Sequence, residues 1–241
     1  MKIVNFRCDT PEENIALDEM LLLQAEEGKA GPSLRLWQSD EYFVVVGRSG
    51  RIRQECELDN CQRDKVKIIR RTSGGGSVLQ GPGCLNFSLV LPYSFQEEYN
   101  DINSSYRVVL GRIADKFRLK GLDIQFMPLC DLALGGRKVS GNAQARKKIF
   151  FLIHGTFLYG LDTSRVSSYL KHPLREPSYR ERRAHDEFLV NVPVGPGEAA
   201  EVIKSAFSPF GGTHKLSEQD EKELRCLAKE KYSLREWNYA F

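Results

Sequence analysis

The chain has no stretch approaching the roughly 20 consecutive apolar residues that cross a bilayer. Its opening residues lack the basic start and apolar run of a secretion signal. A cytoplasmic protein without a membrane partner is expected. Metal-site spacings are missing too. The six cysteines, Cys8, Cys56, Cys61, Cys84, Cys130 and Cys226, form no Cys-x-x-Cys and stand at no ligand spacing from a histidine. Small, reduced, mostly buried thiols are the expectation. There is no repeat, low-complexity tract or long linker. The net charge of +3 is too small to argue for nucleic acid.

What is present is an ordinary globular composition, 41% hydrophobic and 28% charged over 241 residues, enough for one core and one domain across 1–241. Thr10-Pro11-Glu12-Glu13 reads as a helix start, with threonine as cap and proline in the first turn. An apolar stripe from Ile15 to Leu23 follows. Strand patterns cover 34–37, 42–46, 66–69 and 85–91, and resume over 132–134, 138–142 and 149–158. A helix is predicted over 102–119, stopped by Gly121, with three shorter helices at 163–170, 198–207 and 217–231. Without regular β-α-β alternation a Rossmann sheet is disfavoured. The expected class is α+β, a mixed or antiparallel sheet with helices packed on it.

Two segments carry chemistry. The first is Arg70-Arg71-Thr72-Ser73-Gly74-Gly75-Gly76-Ser77-Val78. Arginine at a strand end is suited to a carboxylate or phosphate. Three glycines in a row expose backbone amides and leave room for a thin aliphatic ligand, or else form a hairpin turn. No Gly-Lys-Ser/Thr follows, so a Walker-type loop is excluded. The second segment runs from Asp131 through Gly136-Arg137-Lys138-Val139-Ser140-Gly141-Asn142-Ala143 to His154-Gly155-Thr156. Lys138 between glycines is placed to neutralise charge developing on an acyl carbonyl and its phosphate. Asp131 reads as a magnesium ligand, an orienter of an attacking amine, or a turn residue. His154 reads equally as a structural histidine or a base. The basic runs Arg146-Lys147-Lys148 and Lys171–Arg183 are solvated faces, or contacts for phosphate or an acidic partner.

These two segments together resemble the lipoate–protein ligase A family, within the biotin/lipoate ligase superfamily, whose catalytic domain is related to class II aminoacyl-tRNA synthetases. The likeness extends over about Asp18 to Asn238. It implies that lipoate or octanoate is activated with ATP and Mg2+ to an acyl-adenylate. The acyl group then passes to a lysine of a lipoyl carrier domain, of the E2-subunit or glycine-cleavage H-protein type. Carried over onto this sequence, Lys138 and Asp131 are the catalytic pair, with Asp131 at the metal. Arg70, Ser73, Gly74, Gly75, Gly76, Ser77, Ser140, Gly141, Ala143, His154 and Thr156 line the substrate and nucleotide site. The loop Arg71–Val78 follows the lipoate rather than the biotin pattern.

The sequence departs from the family at several positions. Gln80-Gly81 stands where His-Asp is usual, Gly83-Cys84 where Gly-Asn is usual, and Cys130-Asp131 where Asn-Asp is usual. Many family members also carry a C-terminal accessory domain that supports adenylation. No counterpart is visible in 1–241, so a separate accessory protein is expected for activity on free lipoate. An alternative reaction is transfer of octanoyl or lipoyl through a cysteine thioester without ATP, for which Cys84 and Cys130 are the candidate nucleophiles. Neither lies at the position matching the known transferase cysteine, near Asp123. A weakly catalytic lipoyl- or nucleotide-binding protein is the third reading.

Overall fold

The computed structural model describes residues 1–241, arranged as two sheets with helices packed on them, the α+β class read from the sequence. The strands are β1 (Lys2–Val4), β2 (Ser33–Trp37), β3 (Phe43–Val46), β4 (Lys67–Arg70), β5 (Val78–Gln80), β6 (Cys84–Pro92), β7 (Ile124–Met127), β8 (Asp131–Leu134), β9 (Arg137–Arg146), β10 (Phe150–Leu158) and β11 (Thr213–His214). The larger sheet has the order β11-β1-β2-β6-β10-β9-β8-β7, and a smaller one has β4-β3-β5. From β2 to β7 the large sheet is antiparallel, while β1 runs parallel to both of its neighbours.

Each long helix starts where its sequence provides a cap. Thr10 accepts from the Glu13 amide to open Pro11–Glu26, and Asp101 accepts from the Ser104 amide to open Ile102–Arg118. Ser217 and Asp220 form a capping box before Glu218–Leu227. That helix continues as a π turn over Ala228–Tyr232. The two long helices lie on opposite faces of the large sheet. Val109, Leu110, Ile113 and Phe117 of Ile102–Arg118 pack with Phe87, Leu89, Phe151 and Phe157. Leu17, Met20 and Leu21 of Pro11–Glu26 pack with Val90, Leu152 and Tyr232. Central strand β6 is therefore buried along all nine residues, which explains its nearly unbroken apolar run.

A third apolar cluster joins the small sheet to the Val166–Tyr169 helix and the short helices Ile52–Glu55 and Leu58–Arg63. No helix is long and apolar enough to cross a membrane.

Candidate active site

Strand register builds one wall of the site. Directly opposed residues form a row across five strands: Trp37, Asn86, Thr156, Gly141 and Asp131. The next row on the same face holds Arg35, Ser88, His154 and Ala143. All of these except Arg35 line a cavity of about 810 Å3, roofed by the small sheet and the segment from Lys171 to Leu189. Ile15, Val45, Val78 and Leu79 make part of its wall apolar, and Arg51, Arg71, Lys138, Lys171, Arg175 and Arg180 supply cations. Only Asp18, Glu55 and Asp131 among the lining residues carry a carboxylate.

A β-bulge places Lys138 in that cavity. Asp131 pairs with Gly141 and Leu132 with Ser140, but Ala133 pairs with Lys138, so Val139 is the extra residue. Plain alternation would set Lys138 and Gly141 on opposite faces, being three residues apart. The bulge returns them to one face. The Lys138 ammonium then lies over Gly141, where an added Cβ would stand 2.7 Å from its Nζ. Nζ pairs with Asp131 Oδ1 at 2.8 Å, and the Tyr179 hydroxyl donates to Asp131 Oδ2 at 2.8 Å. Burial and the Asp131 charge hold the Tyr179 phenol far above its ordinary value, so it is a donor at all working pH.

The arrangement leaves Asp131 beside Lys138 in the cavity, with its carboxylate engaged by the protein. Both carboxylate oxygens are taken by protein donors, and no group of three or more His, Cys, Asp or Glu residues is placed to hold a metal ion.

The glycine loop is held from beneath by Arg71. Its guanidinium donates to Ser73 Oγ at 2.9 Å, to the Val45 carbonyl at 3.3 Å, and to the Gly74 and Gly76 carbonyls at 2.6 and 2.9 Å. Gly75, Gly76 and Ser77 face the cavity, while Ser73 and Gly74 do not line it. Ser77 donates to Glu55 at 2.7 Å. Gly47 lets the loop sit down, since a Cβ there would stand 1.9 Å from the Gly75 carbonyl oxygen. Arg70 points elsewhere. It is fully buried, and its guanidinium donates to the carbonyls of Gly47, Arg48, Gly50, Trp237 and Asn238. The structure thus places Arg70 as a backbone clamp outside the cavity, and Arg71, its neighbour, against the loop.

His154 is braced on both ring nitrogens, by Asp18 at Nδ1 (2.9 Å) and Ser73 at Nε2 (2.6 Å). His154 also lines the cavity. Thr156 accepts from Gln80 at 2.5 Å and donates to Asn86 at 2.6 Å, so Gln80 ties the small sheet to the large one. Ser140 donates to Asn142 Oδ1 at 3.3 Å. Gly141 and Ala143 keep the wall of β9 low there, with the Lys138 side chain lying over Gly141.

The two candidate thiols separate. Cys84 is fully buried in the small-sheet cluster, outside the cavity, and burial pushes its thiol up to about 12. Cys130 lines the cavity. Burial and the Asp131 charge raise its thiol, with Lys138 and Arg71 pulling the other way.

The two basic runs also separate. Arg146 is spent on the Tyr99, Asn100 and Gln144 oxygens and on the Tyr93 and Phe151 rings. Lys147 and Lys148 stand exposed in the β9–β10 hairpin, about 30 Å along the strand from Lys138 at ~3.3 Å per residue. That distance removes this run from the site, whereas Lys171, Arg175 and Arg180 line it. Sequence reasoning passed over Asp18 and Tyr179. Asp18 reads as one more residue of an amphipathic helix, and Tyr179 lies in a segment without periodicity.

A model of the lipoyl protein ligase A/B catalytic domain matches residues 10–192. An octanoyltransferase LipM of Halalkalibacterium halodurans is 25% identical over 95% of both chains. Among solved structures, the chain resembles a bi-partite lipoate protein ligase of Thermoplasma acidophilum, described with its E2 lipoyl domain. The two are 26% identical with a TM-score of 0.84, covering 99% of this chain and 95% of that one. A lipoate-protein ligase A bound with ATP is 28% identical with a TM-score of 0.83, covering 99% and 98%.

Proposed function

The chain belongs to the lipoyl protein ligase A/B catalytic domain family, and we propose that it is an ATP-dependent ligase acting on lipoate or octanoate. In the first step a carboxylate oxygen of the fatty acid attacks the α-phosphorus of ATP. An acyl–phosphate bond forms and pyrophosphate leaves. In the second, the amine of a carrier lysine attacks the acyl carbonyl, the amide forms, and AMP leaves as the amine gives up its proton. Lys138 stabilises the charge that gathers on the carbonyl and phosphate oxygens in both steps. Asp131 holds that ammonium in place and offers Oδ2 to the entering amine once Tyr179 moves aside.

The observation carrying this reading is the composition of the cavity around Lys138. An apolar wall for an acyl chain adjoins Lys138, with Arg71, Lys171, Arg175 and Arg180 around it. Cations exceed carboxylates there, which suits a nucleotide phosphate. The likeness to a ligase structure bound with ATP supports the same reading. The chain matches the Thermoplasma protein over nearly its whole length, and that protein is described as bi-partite, which supports a separate accessory protein for adenylation. Its E2 lipoyl domain supports an acceptor of the lipoyl-carrier class.

Cys130 motivates a second reading, transfer of octanoyl through a thioester without ATP. Its thiol faces the cavity that contains Lys138, and the octanoyltransferase likeness covers the same 95% of the chain. Pyrophosphate release with lipoate and ATP, measured beside carrier acylation from an octanoyl-carrier donor, separates the two. Acylation that requires ATP establishes the ligase; acylation from the donor without ATP overturns it.

A further inference from the structure

A second, smaller pocket of about 350 Å3 adjoins the cavity, with Met127, Gly136, Tyr179, Glu181 and Arg183 in its lining. Register joins the two spaces. The cross-strand row through Gly141 and Asp131 continues to Met127, which opposes Asp131 directly on the edge strand β7. Directly opposed residues share a face and stand about 5 Å apart. Met127 lines the small pocket and Asp131 the large cavity. Tyr179 lines only the small pocket, yet its hydroxyl reaches Asp131 Oδ2 at 2.8 Å. One phenol therefore stands between a pocket on the outer edge of the sheet and the carboxylate that holds Lys138.

The walls of the small pocket suit a long side chain with an apolar stem and a cationic end. Met127 and the Tyr179 ring supply apolar surface, and Glu181 supplies a carboxylate on an exposed turn. Arg183 is engaged elsewhere, donating to the carbonyls of Gly136, Tyr179 and Arg180. Glu181 and Arg182 both take the left-handed backbone conformation, with φ of 54° and 57°. Such conformations are uncommon away from glycine and gather at functional sites. A lysine side chain has five bonds of ~1.5 Å from Cα to Nζ, about 6 Å along a zigzag, enough to pass Met127 and reach Asp131. The large cavity offers a worse approach, since Arg71, Lys171, Arg175 and Arg180 line it and repel an ammonium.

Resting on the reading of a carrier lysine as acceptor, we infer that the small pocket is the port through which that lysine enters. Glu181 receives its ammonium, Met127 and the Tyr179 ring pack along its stem, and Tyr179 is the positioning residue that yields Asp131 Oδ2 to it. Acyl donor and acceptor then reach Lys138 from two different sides, and neither has to leave for the other to enter.

Single-turnover acylation of a lipoyl carrier domain from preformed lipoyl-adenylate tests the port, with affinity for that adenylate measured separately by calorimetry. Met127→Trp fills the pocket, and Glu181→Lys reverses the charge at an exposed position where the fold is spared. Each is expected to lower the second-order transfer rate constant at least tenfold, with adenylate affinity within twofold of the parent. Transfer within threefold of the parent in either variant overturns the port. So does a matching loss of adenylate affinity, which would mark these residues as mere supports of the cavity. A parent that transfers nothing from lipoyl-adenylate overturns the ligase reading instead. The same two variants with an octanoyl-carrier donor then decide the port: a tenfold loss upholds it and an unchanged rate overturns it.

Discussion

Asp18 of the Pro11–Glu26 helix and His154 of β10 meet at 2.9 Å, 136 residues apart in sequence, and the far side of that imidazole reaches Ser73 at 2.6 Å. Three separate segments are thereby locked together behind the glycine loop. The order Asp–His–Ser matches that of a hydrolytic triad. Ser73, however, is 1% exposed, does not line the cavity and already accepts from Arg71. The relay is a brace for the loop, and Arg35 neutralises its carboxylate at 3.0 Å.

Removing that carboxylate should be costly. Asp18→Asn leaves the fully buried Arg35 guanidinium without a counter-charge, which is expected to cost about 3–5 kcal/mol. Burial pushes the Asp18 carboxyl up, but the His154 hydrogen bond, the Arg35 charge and the Ser88 hydroxyl outweigh it, so the group titrates below its ordinary value. The unfolded chain therefore takes up this proton first as pH falls. The carboxylate's contribution is complete above the usual carboxylate range and is lost as pH drops from there through the lowered folded value. Urea midpoints should show parent and variant converging below about pH 4. A gap that stays constant down to pH 3 would contradict the assignment.

Much of the frame was legible because it rests on local signals. Thr10 as a cap, Gly121 as a stop and the apolar runs of β2, β6 and β10 all give elements within a residue or two of those observed. The glycine loop and Lys138 stood out in the sequence as candidates, and Gly75, Gly76, Ser77 and Lys138 do line the cavity. What escaped depends on long-range register. Nothing near Val139 announces the bulge that turns Lys138 inward, because its cause is the pairing with β8. Arg70 and Arg71 are indistinguishable by type; alternation along the strand sends one to the C-terminal segment and the other to the loop. The short β5 and the split into two sheets give too little periodicity to read.

The two thiols provide a test of reaction type. Cys84 is outside the cavity and Cys130 is not an activated thiolate, so Cys84→Ser and Cys130→Ser should each retain activity within about tenfold, which is ~1.4 kcal/mol of barrier. A loss beyond a hundredfold in Cys130→Ser, with an acyl adduct on Cys130 in the parent by mass spectrometry, would convert the assignment to transferase.

Carrier encounter should depend on the cations at the cavity rather than those on the β9–β10 hairpin. Arg175 is exposed at the cavity wall and Arg182 lies exposed in the same segment. Arg175→Gln with Arg182→Gln should lower the second-order rate constant for an acidic carrier severalfold. It should also flatten its decline as the Debye length shrinks from about 10 to 3 Å with added salt. Lys147→Gln with Lys148→Gln should leave both unchanged. The reverse pattern would place the carrier at the hairpin.

Gly141 provides the sharpest check on how Lys138 is aimed. A Cβ at this position meets the Lys138 Nζ at 2.7 Å and its Cε at 2.8 Å, and nothing of the backbone. Gly141→Ala should therefore displace the ammonium while the strand stays in place, since the far end of a flexible side chain yields before a paired main chain does. Misplacement of a reacting group by about 1 Å costs ~10²-fold in rate, so a loss of that size is expected with the melting temperature nearly unchanged. Lys138→Ala should lose at least as much activity. It should also lose about 1–3 kcal/mol of stability, because Asp131 keeps only the Tyr179 hydroxyl as a partner. Thermal melts and single-turnover acylation of the carrier, run on both variants, read these quantities separately. Gly141→Ala at parental rate would mean that Lys138 acts from another position, and Lys138→Ala within tenfold of the parent would remove it from the chemistry.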